Sequence, residues 1–278
     1  MSTQPEKLHS RALVAGATGY AGRAVVERLR AEGVPTTAHV RPDSPRLSTW
    51  EGHFGALGAE VDTTPWSLAA MTAAVGRLEP THVFALLGTT RARARRSSDA
   101  AERDHPYETV DYGLTAILLQ ACIDSGIRPK FVYLSALGAD ARAGNAYLRV
   151  RGRLEHELRD SGLSYLVFRP SFITGPDREE RRRLERISAI AADAAIRALG
   201  WIGLGRFGAR LRSVDAATLA DSMVAMALDP RTTDRVVERD ELPASGERST
   251  PASLPPGRSG ALASGSEAAP RVRPRSGV

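Results

Sequence analysis

The stretch LVAGATGYAGRAVVERL, Leu13 to Leu29, limits what this chain can fold into more than any other. A short apolar run enters three glycines spaced three apart, Gly16, Gly19 and Gly22. Beyond them Val25, Val26 and Leu29 fall on one side of a 3.6-residue period and Arg23, Glu27 and Arg28 on the other, which predicts a helix. Glycine lacks a Cβ, so it suits places where the backbone turns sharply or another group comes close. A helix start also offers N–H groups without intrahelical partners and a partial positive charge, a ready seat for phosphate. Gly16 is expected to make the tight turn out of the strand, Gly19 to admit a pyrophosphate and Gly22 to let the helix pack closely. Thr18, Tyr20 and Ala21 share this loop and helix start, and with the glycines form the expected dinucleotide-contacting set. Taken alone, the motif is also compatible with a glycine turn that binds nothing.

Downstream, strand-like and helix-like segments alternate. Strands are predicted at 36–42 (TTAHVRP), 59–62, 82–88 (HVFALLG), 130–136 (KFVYLSA) and 164–170 (SYLVFRP). Helices are predicted at 67–78, within 104–125, and at 146–161, 178–199 and 215–228. The run at 82–88 is continuously apolar, as a strand covered on both faces is. Such alternation implies right-handed crossovers and a doubly wound, mostly parallel α/β sheet of the Rossmann type, with a small C-terminal helical region on the substrate side. The expected domain is 1–237, its substrate-side helices beginning near 176. Residues 238–278 are rich in Ser, Pro, Gly and Ala and read as a disordered tail.

Composition narrows the function classes. The chain has 278 residues, 42% hydrophobic and 25% charged, which is ordinary for a soluble globular protein. Its one cysteine, Cys122, excludes an internal disulfide and suits a reducing, cytosolic compartment. The six histidines show no metal-ligand spacing, so no metal is expected. No apolar run approaches the length of a membrane span, and the N-terminus MSTQPEKLHS lacks the apolar core of a signal peptide. The net charge of +6 is diffuse, and no nucleic-acid partner is expected. The basic helix from Asp177 and the GWIGLGRFG that follows it suit peripheral membrane contact over 177–207, a lid over a substrate pocket, or a solvated helix packing one apolar stripe. Oligomeric state is not legible.

The end of the second strand selects between nicotinamide cofactors. An acidic residue there accepts the ribose hydroxyls of NAD, whereas an arginine accommodates the 2′-phosphate of NADP. The sequence HVRPDS places Arg41 at that position and displaces Asp43 beyond a proline, so NADP(H) is expected over NAD(H).

Three later stretches carry a family resemblance: LGTTRARA (Leu87–Ala94), YLSALGAD with the NAYLRVRGRLEHEL after it, and FRPSFITGP (Phe168–Pro176). Over about residues 10–230 the chain resembles an atypical short-chain dehydrogenase/reductase, in wording closest to the Tat-interactive-protein oxidoreductases, an NADPH-binding branch. The resemblance implies Tyr147 as proton donor to a carbonyl under reduction and Ser135 as the holder of the carbonyl oxygen. Negative charge left on that oxygen must be met by a donor. It further implies a lysine four residues after the tyrosine, where this chain has Arg151. Arginine keeps the positive charge and can reach ribose hydroxyls, but cannot relay a proton. By the same resemblance Leu87 and Gly88 line the cofactor, Asp62 meets the adenine amino group, Pro170 begins the loop over the nicotinamide, and Asp111 stands where related reductases carry a helix asparagine. The expectation is an NADP(H)-dependent oxidoreductase acting on a small metabolite, with a catalytically weak NADPH-binding sensor as the alternative that Arg151 favours.

Overall fold

The computed structural model describes residues 10–88, 107–171, 173–174 and 213–243. The expected helix at 178–199, the stretch 177–207 and the chain beyond 243 lie outside the described residues.

The glycine motif is preceded by β1 (Ala12–Ala15) and followed by α1 (Tyr20–Ala31). Then come β2 (Thr36–His39), α2 (Leu47–Ala56), β3 (Glu60–Asp62), α3 (Leu68–Leu78) and β4 (His82–Ala85). After β4 the described chain resumes in a π-helix, Tyr107–Leu114, continuous with α4 (Thr115–Asp124). The rest is β5 (Lys130–Leu134), α5 (Ala146–Asp160), β6 (Tyr165–Arg169), β7 (Ile173–Thr174), β8 (Val214–Asp215), α6 (Ala216–Leu228) and β9 (Arg235–Glu238).

Seven strands form one parallel sheet in the order β3-β2-β1-β4-β5-β6-β9. The chain builds outward from β1 through β2 to β3, returns to β4 and builds outward the other way. Ala15 therefore stands in register with both His39 and Ala85, and the direction of winding switches between β1 and β4. Helices cover both faces. One core joins Val25, Val26 and Leu29 of α1 to Trp50, Phe54, Leu219 and Met223. The other joins Met71 and Val75 of α3 to Leu118, Cys122, Leu154 and Leu158. This is the doubly wound α/β fold expected from the alternation.

Local chemistry sets the helix starts. Ser67 caps α3 by accepting from Ala70 N, Asn145 caps α5 through Tyr147 N and Leu148 N, and Asp215 caps α6 through Thr218 N. At the opposite end of the sheet, Lys130 Nζ donates to the carbonyls of Ala227, Asp229 and Thr232 at 2.9, 3.0 and 3.0 Å. It thereby satisfies carbonyls that the end of α6 leaves without helical partners.

Three expectations need correction. The domain does not stop at 237: β9 runs through Glu238 beside β6, and a short 3₁₀ turn, Arg239–Glu241, follows. Arg239 is buried and donates to the carbonyls of Ser213, Leu242 and Pro243, while Leu242 joins the core. Residues 238–243 are thus packed, because one arginine ties three carbonyls there. The helix within 104–125 is two helical forms, π then α. Finally, α2 was not anticipated: Gly52 and Gly55 hide the helix, and its signal is only the pair Trp50 and Phe54, one turn apart.

Candidate functional site

The glycine loop faces the crevice between β1 and β4. Gly16 has φ +83°, and a Cβ on it would sit 2.6 Å from the Leu86 carbonyl oxygen. A Cβ on Gly22 would fall 2.1 Å from Gly16 O, so the helix start lies directly on the turn. These two positions are glycine for internal reasons. Gly19 differs: among the described residues its Cβ would meet Gly16 O, at 3.1 Å, and nothing else within 4 Å. Gly19 is the N-cap of α1, has no side chain to cap the first turn, and that turn holds no acidic residue. Thr18, Tyr20 and Ala21 are half-buried around it. An uncapped helix start with open space over one glycine fits a pyrophosphate.

Two of the expected cofactor residues stand at the ends of β2 and β3. Arg41 is exposed, with Nε 3.7 Å from the exposed Asp43 carboxylate. The Asp62 carboxylate is engaged within the protein: Oδ1 accepts from Thr64 Oγ1 at 3.0 Å and Arg77 Nη2 at 2.6 Å, and Oδ2 from Thr64 N at 3.1 Å. Beside it, His39 is buried against Trp66 and donates to Thr64 O, and burial lowers its pKa.

Arg151 is the centre of the other half of the crevice. Its side chain is 5% exposed. Nη1 donates to Leu134 O at 2.5 Å and Tyr133 Oη at 3.4 Å, and Nη2 donates to Leu87 O at 3.0 Å and Asp111 Oδ1 at 2.5 Å. One guanidinium thus ties the carboxyl ends of β4 and β5 to the π-helix and α5. Burial works to lower its pKa, but Tyr133, Tyr147 and Asp111 around it raise the net value, so it stays charged. Tyr133 is also pushed up by burial and serves as a neutral partner. Gly88 is glycine because of this tie: its Cβ would stand 2.9 Å from Arg151 Nη2. Leu87 contributes its carbonyl to Arg151, and Asp111 its whole side chain. The reach to ribose hydroxyls expected of Arg151 meets donors already committed inside the protein; its buried Nε alone has no partner among the described residues.

Tyr147 begins α5, half-buried, with its ring under the Arg151 guanidinium at 5.2 Å and 5.4 Å from the ring of Tyr107. Ser135 follows β5 but turns to another partner. Its hydroxyl donates to Glu155 Oε1 at 2.6 Å. Glu155 is wholly buried and also accepts from Arg169 Nε and Nη2 and from Arg159 Nη2. The Ser135 proton expected to hold a carbonyl oxygen is spent here. Arg169 continues the network to Glu238 of β9 and to Ala139 O. Pro170 is buried and its carbonyl accepts from Leu137 N at 2.9 Å, pinning the loop after β5. Glu155 and Arg169 were missed in the sequence, although Tyr147, Arg151 and Glu155 stand four residues apart on one helix face. Among the described residues no group of acidic, histidine or cysteine side chains could hold a metal.

The sequence profile of a family described as NAD(P)H-binding matches residues 16–197, from the first glycine of the loop onward. The chain belongs to this NAD(P)H-binding family. The cradle at Gly19 therefore has an expected occupant, a nicotinamide dinucleotide, and the uncapped start of α1 fits its phosphates. The NAD(P)H-binding chain is 28% identical over 197 residues to "Protein FMP52, mitochondrial" of Coccidioides immitis, covering 68% of this chain and 74% of that one. It is 26% identical over 175 residues to the protein of the same name from Candida albicans, covering 60% and 68%. Those relatives are named as mitochondrial, which overturns the cytosolic placement drawn from one cysteine. Cys122 is buried with its thiol pushed up to about 12, inert in either compartment. Among solved structures, the UDP-Glc/GlcNAc 4-epimerase of Campylobacter jejuni superposes with a TM-score of 0.59 at 12% identity, covering 85% of this chain and 80% of that one. The UDP-glucose 4-epimerase of Brucella ovis in complex with NAD gives 0.53 at 16%, covering 79% and 73%. At these identities the likeness is one of fold.

Proposed function

We propose that this NAD(P)H-binding protein is an NADP(H)-dependent oxidoreductase of the atypical short-chain dehydrogenase/reductase type, near its Tat-interactive-protein-like branch, acting on a carbonyl or hydroxyl of a small metabolite. The observation that carries the reading is the open, uncapped glycine cradle at the β1–β4 switch, with Tyr147 and a buried cation on α5. A bound nicotinamide supplies the two-electron exchange. Gly19 and the first turn of α1 hold the phosphates, Arg41 takes the 2′-phosphate, and Tyr147 gives or holds the proton at the substrate oxygen. The names of the relatives specify no substrate, and none of these residues selects one.

A second reading has its own support. The terminal donors of Arg151 and the Ser135 proton are both committed to internal partners, which favours a protein that binds NADPH and turns over slowly or not at all. One measurement separates the two: NADPH consumption over a panel of carbonyl compounds by the natural protein and by Tyr147→Phe. The oxidoreductase reading expects a rate that falls at least about a hundredfold in the variant, with NADPH affinity unchanged. Tight NADPH binding without turnover, or equal slow rates in both proteins, turns the assignment to the sensor.

A further inference from the structure

Asp111 is a buried acid of the crevice to which the proposed reaction assigns no task. It lies in the π-helix Tyr107–Leu114, fully buried, with Oδ1 2.5 Å from Arg151 Nη2. The same π-helix carries Tyr107, whose ring lies 5.4 Å from that of Tyr147. One element thus brings an aromatic ring to Tyr147 and a carboxylate to the cation 5.2 Å from the Tyr147 ring.

A lone cation that close to a phenol favours the phenolate, and its field is weakly screened where water is excluded. The four hydrogen bonds from Arg151 Nη1 and Nη2 go to Tyr133, Leu134, Leu87 and Asp111, so the guanidinium acts on Tyr147 through its charge. A carboxylate bonded to that guanidinium makes the pair neutral as a whole, and the field of a neutral pair fades faster with distance than that of one ion. The other ionisable groups packed around this part of α5 have partners of their own. Tyr133 of β5 is pushed up by burial and neutral. Glu108 of the π-helix pairs with Arg153, and Asp140 after β5 accepts from Arg142 N. Arg149 donates to Ala143 O and Gly144 O, and Glu155 accepts from Ser135, Arg159 and Arg169. Asp111 is the carboxylate set against Arg151.

We propose that Asp111 is a positioning residue for charge: by cancelling Arg151 beside Tyr147, it sets the pH at which the site passes from proton donor to proton acceptor. The inference rests on the oxidoreductase reading and adds the residue that governs its pH dependence. With the hydride supplied or taken up by the nicotinamide, the proton is left to the chain. Reduction of a carbonyl needs Tyr147 with its proton, to give to the substrate oxygen; oxidation of the alcohol needs it without, to take that proton back. Asp111 therefore extends the donor form toward higher pH.

The carbon-13 resonance of the Tyr147 phenol carbon in tyrosine-labelled protein reads that proton directly, and its loss in Tyr147→Phe assigns it. Asp111→Asn keeps an oxygen for Arg151 Nη2 and removes the charge. It should move the midpoint of the resonance down by about one pH unit or more. Asp111→Asn/Arg151→Met, with neither charge, should return it toward the natural value. Asp111→Asn/Arg151→Lys should show the same fall as Asp111→Asn, and carries the test if the single variant does not fold. NADPH oxidation with 4-nitrobenzaldehyde and NADP+ reduction with 4-nitrobenzyl alcohol follow the two directions across pH. In kcat/KM, the loss of reduction and the levelling of oxidation should both move down with the resonance. A resonance that stays in place in the folded variants overturns the inference and leaves the oxidoreductase reading standing. Profiles that move without the resonance put the titration on another group and overturn it as well. Turnover of neither probe by any of these proteins removes the oxidoreductase reading, and the inference with it, whatever the resonance does.

Discussion

Arg151 and Asp111 meet at 2.5 Å with both side chains sealed from solvent. The chain departs from the resemblance's pattern at both positions, lysine to arginine and asparagine to aspartate, and the two departures are partners. A lone arginine here would carry an uncompensated buried charge. The aspartate cancels it, and the longer, forked side chain reaches Leu87 and Leu134 as well. What the resemblance casts as a reacting cation is in this protein also a brace for the crevice.

Truncating one member of that pair should therefore be costly. Asp111→Ala is expected to lower stability by about 3–5 kcal/mol, because Arg151 would remain buried and charged. The double variant Asp111→Ala/Arg151→Met should recover much of the loss. Urea denaturation of the four proteins in the cycle checks it, and additive losses in the double variant would show that the two do not act as a pair.

A pH effect follows from the far end of the sheet. His82 donates to Ala227 O next to Lys130, and burial, then the Lys130 charge, depress its pKa from 6.5 to about 4. Between those values the unfolded chain binds more protons than the folded one, so stability rises with pH there. The contribution is complete above about pH 6.5 and is lost as pH falls toward 4, by up to about 3 kcal/mol. His39, also depressed by burial, acts in the same direction. His82→Gln keeps a donor for Ala227 and should flatten the fall in melting temperature between pH 7 and 4. An unchanged slope would place the titration elsewhere.

Arg239 ties the last strand to the body of the fold, so cutting the chain before it should not be neutral. Arg239→Ala removes a buried cation bound to three carbonyls and leaves them without that donor. A loss of about 1–3 kcal/mol is expected, read as a lower midpoint in urea with little change in slope.

What could be read in advance was what is local in sequence. The strand–glycine–helix motif names its own neighbours, so Gly16, Gly19 and Gly22 stand in the structure where their spacing puts them. The alternation of segments likewise carries the sheet. Ser135 was placed correctly at the end of a strand, yet its hydroxyl turns to Glu155, twenty residues on, and no pattern in the chain announces that bond. Asp62 shows the same limit: its position was legible, its capture by Arg77 was not. The packed turn at 239–243 was hidden because composition averages over a window, whereas one buried arginine suffices to order it.

The three glycines of the loop make separable demands, and substitution should separate them. Gly22→Ala places a Cβ 2.1 Å from the Gly16 carbonyl, and backbone on both sides leaves it no way to give. It should lower the melting temperature sharply and weaken NADPH only as a consequence of unfolding. Gly16→Ala adds strain at φ +83° to a clash with Leu86 O and should behave alike. Among the described residues Gly19→Val meets one oxygen at 3.1 Å and otherwise open space, so the fold should tolerate it with a small loss. The same side chain would project where a pyrophosphate must approach the backbone, and NADPH binding should be lost by at least about a hundredfold, some 2.7 kcal/mol. Melting curves and NADPH titrations of the three variants together decide the matter. Gly19→Val with a normal melting temperature and normal NADPH affinity would mean that the loop is a turn and the cofactor sits elsewhere.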